Sequence, residues 1–288
     1  MAELLNRLEA LKALAVLVAF VAGTAFAFLL FYLLRRVQHE AGSVTEVVPP
    51  GAGRVAAPQP QPHRVGAEVV SSNTGRVFVT ENILGFWVFT DVTLRDHPKL
   101  DTLRTSIRRQ ITYFRSKISP RTFALLQNIP LWVSPLYEGF PAGGNYHIGT
   151  GWLTDQNRPV EMADSVEINL LEHIEEEDRR MPLWLFHELA HGYHFRYMSP
   201  EKKHAVLAQF EQAARDGIYI DVPAYDGAGN LSARSSYPAN NEYEYFAELS
   251  ENYIGAGDMR NDIWPFRSDA LLDNDRAGYE LICSIWAN

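Results

Sequence analysis

Residues Ala13 to Leu34 form an almost unbroken apolar run, interrupted only by Gly23, Thr24 and Tyr32. As a helix, a run of that length crosses a hydrocarbon core about 30 Å thick. It therefore divides the chain before any other feature is weighed. Residues 1–12 become a short tail, 13–36 a transmembrane anchor, and everything beyond lies on one side of a bilayer. Lys12 stands at one end of the run and Arg35 and Arg36 at the other, where their stems can snorkel to the interface. A cleavable leader fits poorly, because the apolar stretch is too long and no small-x-small site follows it directly. Arg7 and Lys12 before the span balance Arg35 and Arg36 after it, so flanking charge leaves the orientation open. A large C-terminal domain behind one N-terminal span most often lies outside the cytoplasm. The expectation is a single-pass membrane protein, in contact with the bilayer through 13–34, with an extracytoplasmic domain.

Residues 41–65 are rich in Ala, Pro and Gly and carry no amphipathic period. Such segments stay extended and cannot bury a core, so 37–65 reads as a linker. From residue 66 the composition becomes globular. Val77-Phe78-Val79, Phe86 to Phe89, Leu131-Trp132-Val133 and Ser165 to Ile168 read as short strands. Leu100 to Ile118 carries apolar residues at helical spacing with basic residues opposite. Beyond Met181 the pattern is helical almost throughout. The fold class is α+β, a domain over 66–288 with a small mixed sheet in its 66–180 half and a helical 181–288 half. The net charge of −9 and pI near 5.5 leave no basic stripe for nucleic acid. The single cysteine, Cys283, excludes an intramolecular disulfide and a cysteine-based zinc site, and its apolar surroundings read as a buried small hydrophobe. The run Glu175 to Asp178 reads as a solvated helix face.

The chemistry-bearing segment is His187-Glu188-Leu189-Ala190-His191. On a helix, residues four apart share one face, so two imidazoles so placed converge on a metal at about 2.0–2.1 Å each. Glu188 lies one residue round, beside the metal, where it can take a proton from water. The bare pentapeptide arises by chance in on the order of one chain in a hundred, so context decides its weight. The apolar lead-in Pro182 to Phe186, with Pro182 suited to a first helical turn, buries the helix and holds the histidines rigidly. Those apolar flanks end at Arg179-Arg180 and Glu188, so the segment cannot itself span a bilayer. Zinc needs a third protein ligand and an open position. A class with a histidine six residues after the pentapeptide is excluded, because Tyr197 stands there and His194 replaces the glycine. The other class takes a glutamate from a later helix. Asn241 to Glu251 supplies one, with Glu244, Glu248 and Glu251 at i, i+4 and i+7 on one face. A row of carboxylates without lysine or arginine is repulsive unless a cation lies beside it.

These paired motifs resemble the anthrax lethal factor family of zinc peptidases, in which HExxH is followed by Tyr, then seven residues later by Glu, an aromatic pair, Ala and Glu. Here those residues are His187-Glu188-Leu189-Ala190-His191, Tyr237, Glu244 and Tyr245-Phe246-Ala247-Glu248, and the match covers roughly residues 183–252. The resemblance implies a zincin-like catalytic domain with Zn2+ held by His187, His191 and Glu244. It implies Glu188 as general base, Tyr237 steadying the oxyanion, and Glu248 orienting a ligand histidine. It also implies that the strand Ser165 to Asn169 lies at a sheet edge and pairs with an extended peptide or protein substrate. Loop 136–148, with its Gly-Phe-Pro-Ala-Gly-Gly run, is expected to shape the substrate pocket. His194, about 10 Å along the axis from His187, cannot join both histidines on one zinc and reads as a core histidine; Tyr193 reads as packing. The alternatives are a membrane-tethered scaffold with a structural metal, or a hydrolase of a non-protein amide.

Overall fold

The structure, a computed structural model, describes residues 64–225, 231–234, 237–257 and 259–287. The anchor read at 13–36 and the linker up to residue 63 lie outside the described residues. Among the described residues no helix is long and apolar enough to cross a membrane.

Three strands open the domain as an antiparallel meander: β1 (Glu68–Val70), β2 (Val77–Ile83) and β3 (Phe86–Asp91). The β2–β3 turn is Leu84-Gly85, both at positive φ (52° and 96°), as a two-residue hairpin demands. A Cβ on Gly85 would also lie 1.9 Å from the Gln127 side-chain amide, so a larger residue would have to push that amide aside as well as adopt a φ of 96°. Helices α1 (Leu100–Arg115) and α2 (Pro120–Leu126) follow, the second capped by the Ser119 side chain with proline at its start. Next come β4 (Leu131–Val133), β5 (Gly144–Tyr146), helix α3 (Gly151–Asp155) and β6 (Val166–Ile168). The sheet order is β1-β2-β3-β4-β6-β5, with β3, β4 and β6 parallel and β5 antiparallel to β6.

The helical half comprises α4 (Ile174–Arg180), α5 (Trp184–Arg196) and α6 (Pro200–Arg215). A hairpin of β7 (Val222–Tyr225) and β8 (Leu231–Arg234) interrupts it. It continues with α7 (Glu242–Ile254), α8 (Ser268–Asn274) and α9 (Arg276–Trp286). The chain is thus α+β, with a small mixed sheet and a mainly helical C-terminal half.

Strand alternation sorts residues onto two cores. Phe86, Val88, Leu131, Val133, Val166 and Ile168 join the stripe Leu103, Ile107, Ile111 and Phe114 of α1 in the larger core. Phe78, Phe89 and Trp132 point to the other face, with Leu153 and Met162. The larger core continues into α5 through Phe186, whose ring lies 5.2 Å from Phe114 and 4.9 Å from Trp286. Trp286 also touches Tyr193 and Phe246, so the rings of α9 bind α5 to α7. Tyr193 is a packing residue, as its sequence context suggested.

Candidate metal centre

Helix α5 is buried on nearly every side, which fixes the two histidines it carries. Gly192, directly after His191, lets the sheet approach: a Cβ there would stand 2.6 Å from Ile129 and 3.0 Å from the Tyr146 ring. Helix α7 packs against α5. Its start is set by Asn241, whose side-chain oxygen accepts from the backbone N–H of Tyr243 and Glu244 at 3.0 and 2.9 Å. Glu244 is thereby held in the first turn of α7, facing the histidines.

His187 Nε2 and His191 Nε2 are 3.1 Å apart, and Glu244 Oε2 lies 3.3 Å from the first and 3.5 Å from the second. Donors bound tetrahedrally at about 2.0–2.1 Å stand about 3.3 Å from one another. The three atoms therefore have the spacing of a zinc-ligand set, and the Glu244 oxygen, though buried, makes no well-aligned hydrogen bond. A third sequence-predicted ligand thus joins the two histidines. Burial alone pulls the His187 imidazole toward neutrality, but Glu248, Glu244 and Glu188 outweigh it and push its pKa up to about 10. Burial pushes the Glu244 carboxyl up, yet the imidazoles of His187 and His191 close against its Oε2 hold it well below the usual range.

Behind these three atoms, His187 Nδ1 faces Glu248 Oε1 at 3.4 Å, where the resemblance places an orienting carboxylate. Glu251 Oε2 lies beside it at 3.8 Å, and both glutamates are about 1% exposed. Burial drives both carboxyls upward, Glu251 to about 7.

Glu188 reaches across to the sheet. Its Oε2 accepts the backbone N–H of Tyr146 at 2.8 Å, and Gly144 packs so closely that a Cβ would lie 2.8 Å from Glu188 Cγ. This overturns the expected edge strand. The strand Val166–Ile168 is interior, paired on both sides, and the edge is β5, within the stretch read as a loop. The polar residue of β6, Glu167, faces no solvent: it is 1% exposed and meets Arg158 Nη1 at 2.8 Å through both oxygens. His147 Nε2 lies 2.8 Å from Glu167 Oε2, and the Ser134 hydroxyl donates to Oε1. Burial raises the Glu167 carboxyl, but His147, Arg158 and Ser134 overcome that and hold it below its ordinary value.

Tyr237 opens a short 3-10 turn, Tyr237–Ala239, immediately before α7; its side chain lies outside what the structure describes. His194 is 3% exposed among the rings of Tyr243, Phe246 and Phe195, with its pKa pushed down to about 4 by burial and by Lys203 and His191, as suits a core histidine. Tyr197 caps the end of α5 and reaches no ligand position. In the acidic run, Glu175 and Glu176 are exposed, but Asp178 is partnered by Ser106, Trp184 and Arg109. Cys283 is half-buried rather than buried. Sequence reasoning assigned no role to Glu251, although its i+7 spacing from Glu244 marked the face it shares. Comparisons of the chain with family models, with curated proteins and with solved structures returned no match.

Proposed function

We propose that the chain is a membrane-anchored, zinc-dependent endopeptidase of the glutamate-ligand class, with a zincin-like domain of the kind its likeness to the anthrax lethal factor family implies. The observation that carries this reading is the 3.1–3.5 Å triangle of His187 Nε2, His191 Nε2 and Glu244 Oε2 with Glu188 alongside. Its donor set, two imidazoles and one carboxylate with the Glu188 carboxylate on the same helix as the histidines, suits a hydrolytic zinc centre rather than a structural one, which takes four protein ligands. The run 13–34 supports the anchor.

Zinc in this site would supply Lewis-acid chemistry, making water a competent nucleophile near neutral pH and drawing charge from a scissile carbonyl. The chain's own residues do the rest. His187, His191 and Glu244 hold the ion, and Glu248 fixes the His187 ring through Nδ1. Glu188 has one oxygen tied to the Tyr146 amide, leaving the other to accept a proton from the attacking water and return it to the departing amine. The Tyr237 hydroxyl donates to the developing oxyanion. Residues 143, 145 and 147 of the β5 segment turn their backbone groups toward β6, so those of Gly144 and the Tyr146 carbonyl face away from it, where an extended peptide would pair, while the Tyr146 N–H is taken by Glu188.

Substituting Glu188→Gln should abolish cleavage of a peptide library, a loss of at least about 100-fold by the general-base contribution, while zinc content measured by mass spectrometry stays at the wild-type level. Undiminished cleavage by that variant would overturn the reading.

A further inference from the structure

We infer that Glu251 is a positioning residue for His187, acting with Glu248 as a two-carboxylate clamp behind the metal-facing imidazole. The inference rests on the proposed metal site and not on the peptidase activity.

The two histidines are supported unequally. His187 Nδ1 has Glu248 Oε1 at 3.4 Å and Glu251 Oε2 at 3.8 Å, whereas among the described residues no carboxylate lies within 4 Å of His191 on the side away from Glu244. Both glutamates come from successive turns of α7, three residues apart, so one helix sets both distances. Neither meets a lysine or arginine among the described residues, and the second oxygen of Glu248 and both oxygens of Glu251 make no well-aligned hydrogen bond. A buried carboxylate is strongly disfavoured without compensation. Although Asn261 and the Leu183 backbone lend Glu251 some hydrogen bonding, the group of opposite charge it faces among the described residues is the His187 ring.

One N–H donates to one acceptor at a time. Two acceptors within 4 Å of it give the ring two ways to stay in the same orientation. The second negative charge also raises the basicity of Nε2, the atom that faces Glu244 and His191. A ligand held in this way differs from one held by packing. Removing the charge should weaken metal binding without weakening the fold, because it also removes repulsion between two buried carboxylates whose oxygens lie within 4.8 Å.

The test is zinc affinity by chelator competition on the full-length chain, together with metal-free urea unfolding and the visible absorption of the cobalt-substituted protein. Glu251→Gln should weaken zinc about 10-fold, within the range for residues behind a metal ligand. The metal-free midpoint should stay at or above wild type, and the cobalt bands should shift. The double variant with Glu248→Gln should bind more weakly than the product of the two single effects. If Glu251→Gln does not fold, Glu251→Asp carries the same affinity comparison, with the charge kept but withdrawn. Zinc affinity within twofold of wild type, or a loss matched by a lower metal-free midpoint, overturns the clamp and leaves the metal site standing. A wild-type chain that binds no zinc overturns both.

Discussion

Two buried carboxylate assemblies stand on opposite faces of the six-stranded sheet, and they are finished differently. On the face away from α5, Glu167 is answered within the chain by a guanidinium, an imidazole and a hydroxyl, and its carboxyl is held below the ordinary range. Arg158 is in turn enclosed by the rings of Tyr137, Phe140 and Trp152 at 3.4, 4.7 and 5.3 Å. On the α5 face, Glu244, Glu248 and Glu251 converge on two histidines with no lysine or arginine among them, and the two deeper carboxyls are driven upward. Glutamates are answered by a guanidinium in one place and face only histidines in the other, where the proposed metal would sit.

The largest effect expected from breaking this contrast is on the closed side. Arg158→Met leaves Glu167 buried with only His147 and the Ser134 hydroxyl to answer it, and should lower unfolding free energy by about 3–5 kcal/mol in urea titrations. A loss below 1 kcal/mol would show that Glu167 is not closed by Arg158. On the open side, zinc at about a thousandfold its Kd should add about 4 kcal/mol to stability. Glu244→Ala should erase that increment while the Arg158 pair is untouched. A wild-type midpoint indifferent to zinc would remove the asymmetry. The smallest effect is in pH. The Glu167 carboxyl is depressed in the folded chain, so the unfolded chain binds more protons. Its stabilisation is present above the ordinary glutamate value, 4.5, and is lost as pH falls through the folded value. Metal-free wild type should therefore gain stability as pH rises toward 4.5 from below, and Arg158→Met should flatten that limb.

Much of the candidate site's geometry was legible in the sequence because it is local. The i, i+4 spacing of His187 and His191 and the i, i+4, i+7 spacing of Glu244, Glu248 and Glu251 each need only a helix, and both helices formed where periodicity placed them. What the sequence hid was long-range. Val166-Glu167-Ile168 alternates as a half-exposed edge strand does, but its polar residue is matched by Arg158, a pairing no local pattern announces. Gly144-Asn145-Tyr146 has the composition of a loop and is a strand only because β6 pairs with it. The β7–β8 hairpin contains Pro223 and interrupts a segment whose neighbours are all helical. In each case strand identity came from the partner and not from the residues themselves.

The contact between Tyr146 and Glu188 is made by main chain, and this has a genetic consequence. A backbone donor survives nearly every codon change at its position. A saturation scan would score residue 146 by how well the new ring or stem fills the space against Gly192 and Phe195. Only proline deletes the N–H itself. The link between the sheet edge and Glu188 is therefore shielded from point substitution, and a survey of tolerated variants would record that position as ordinary packing.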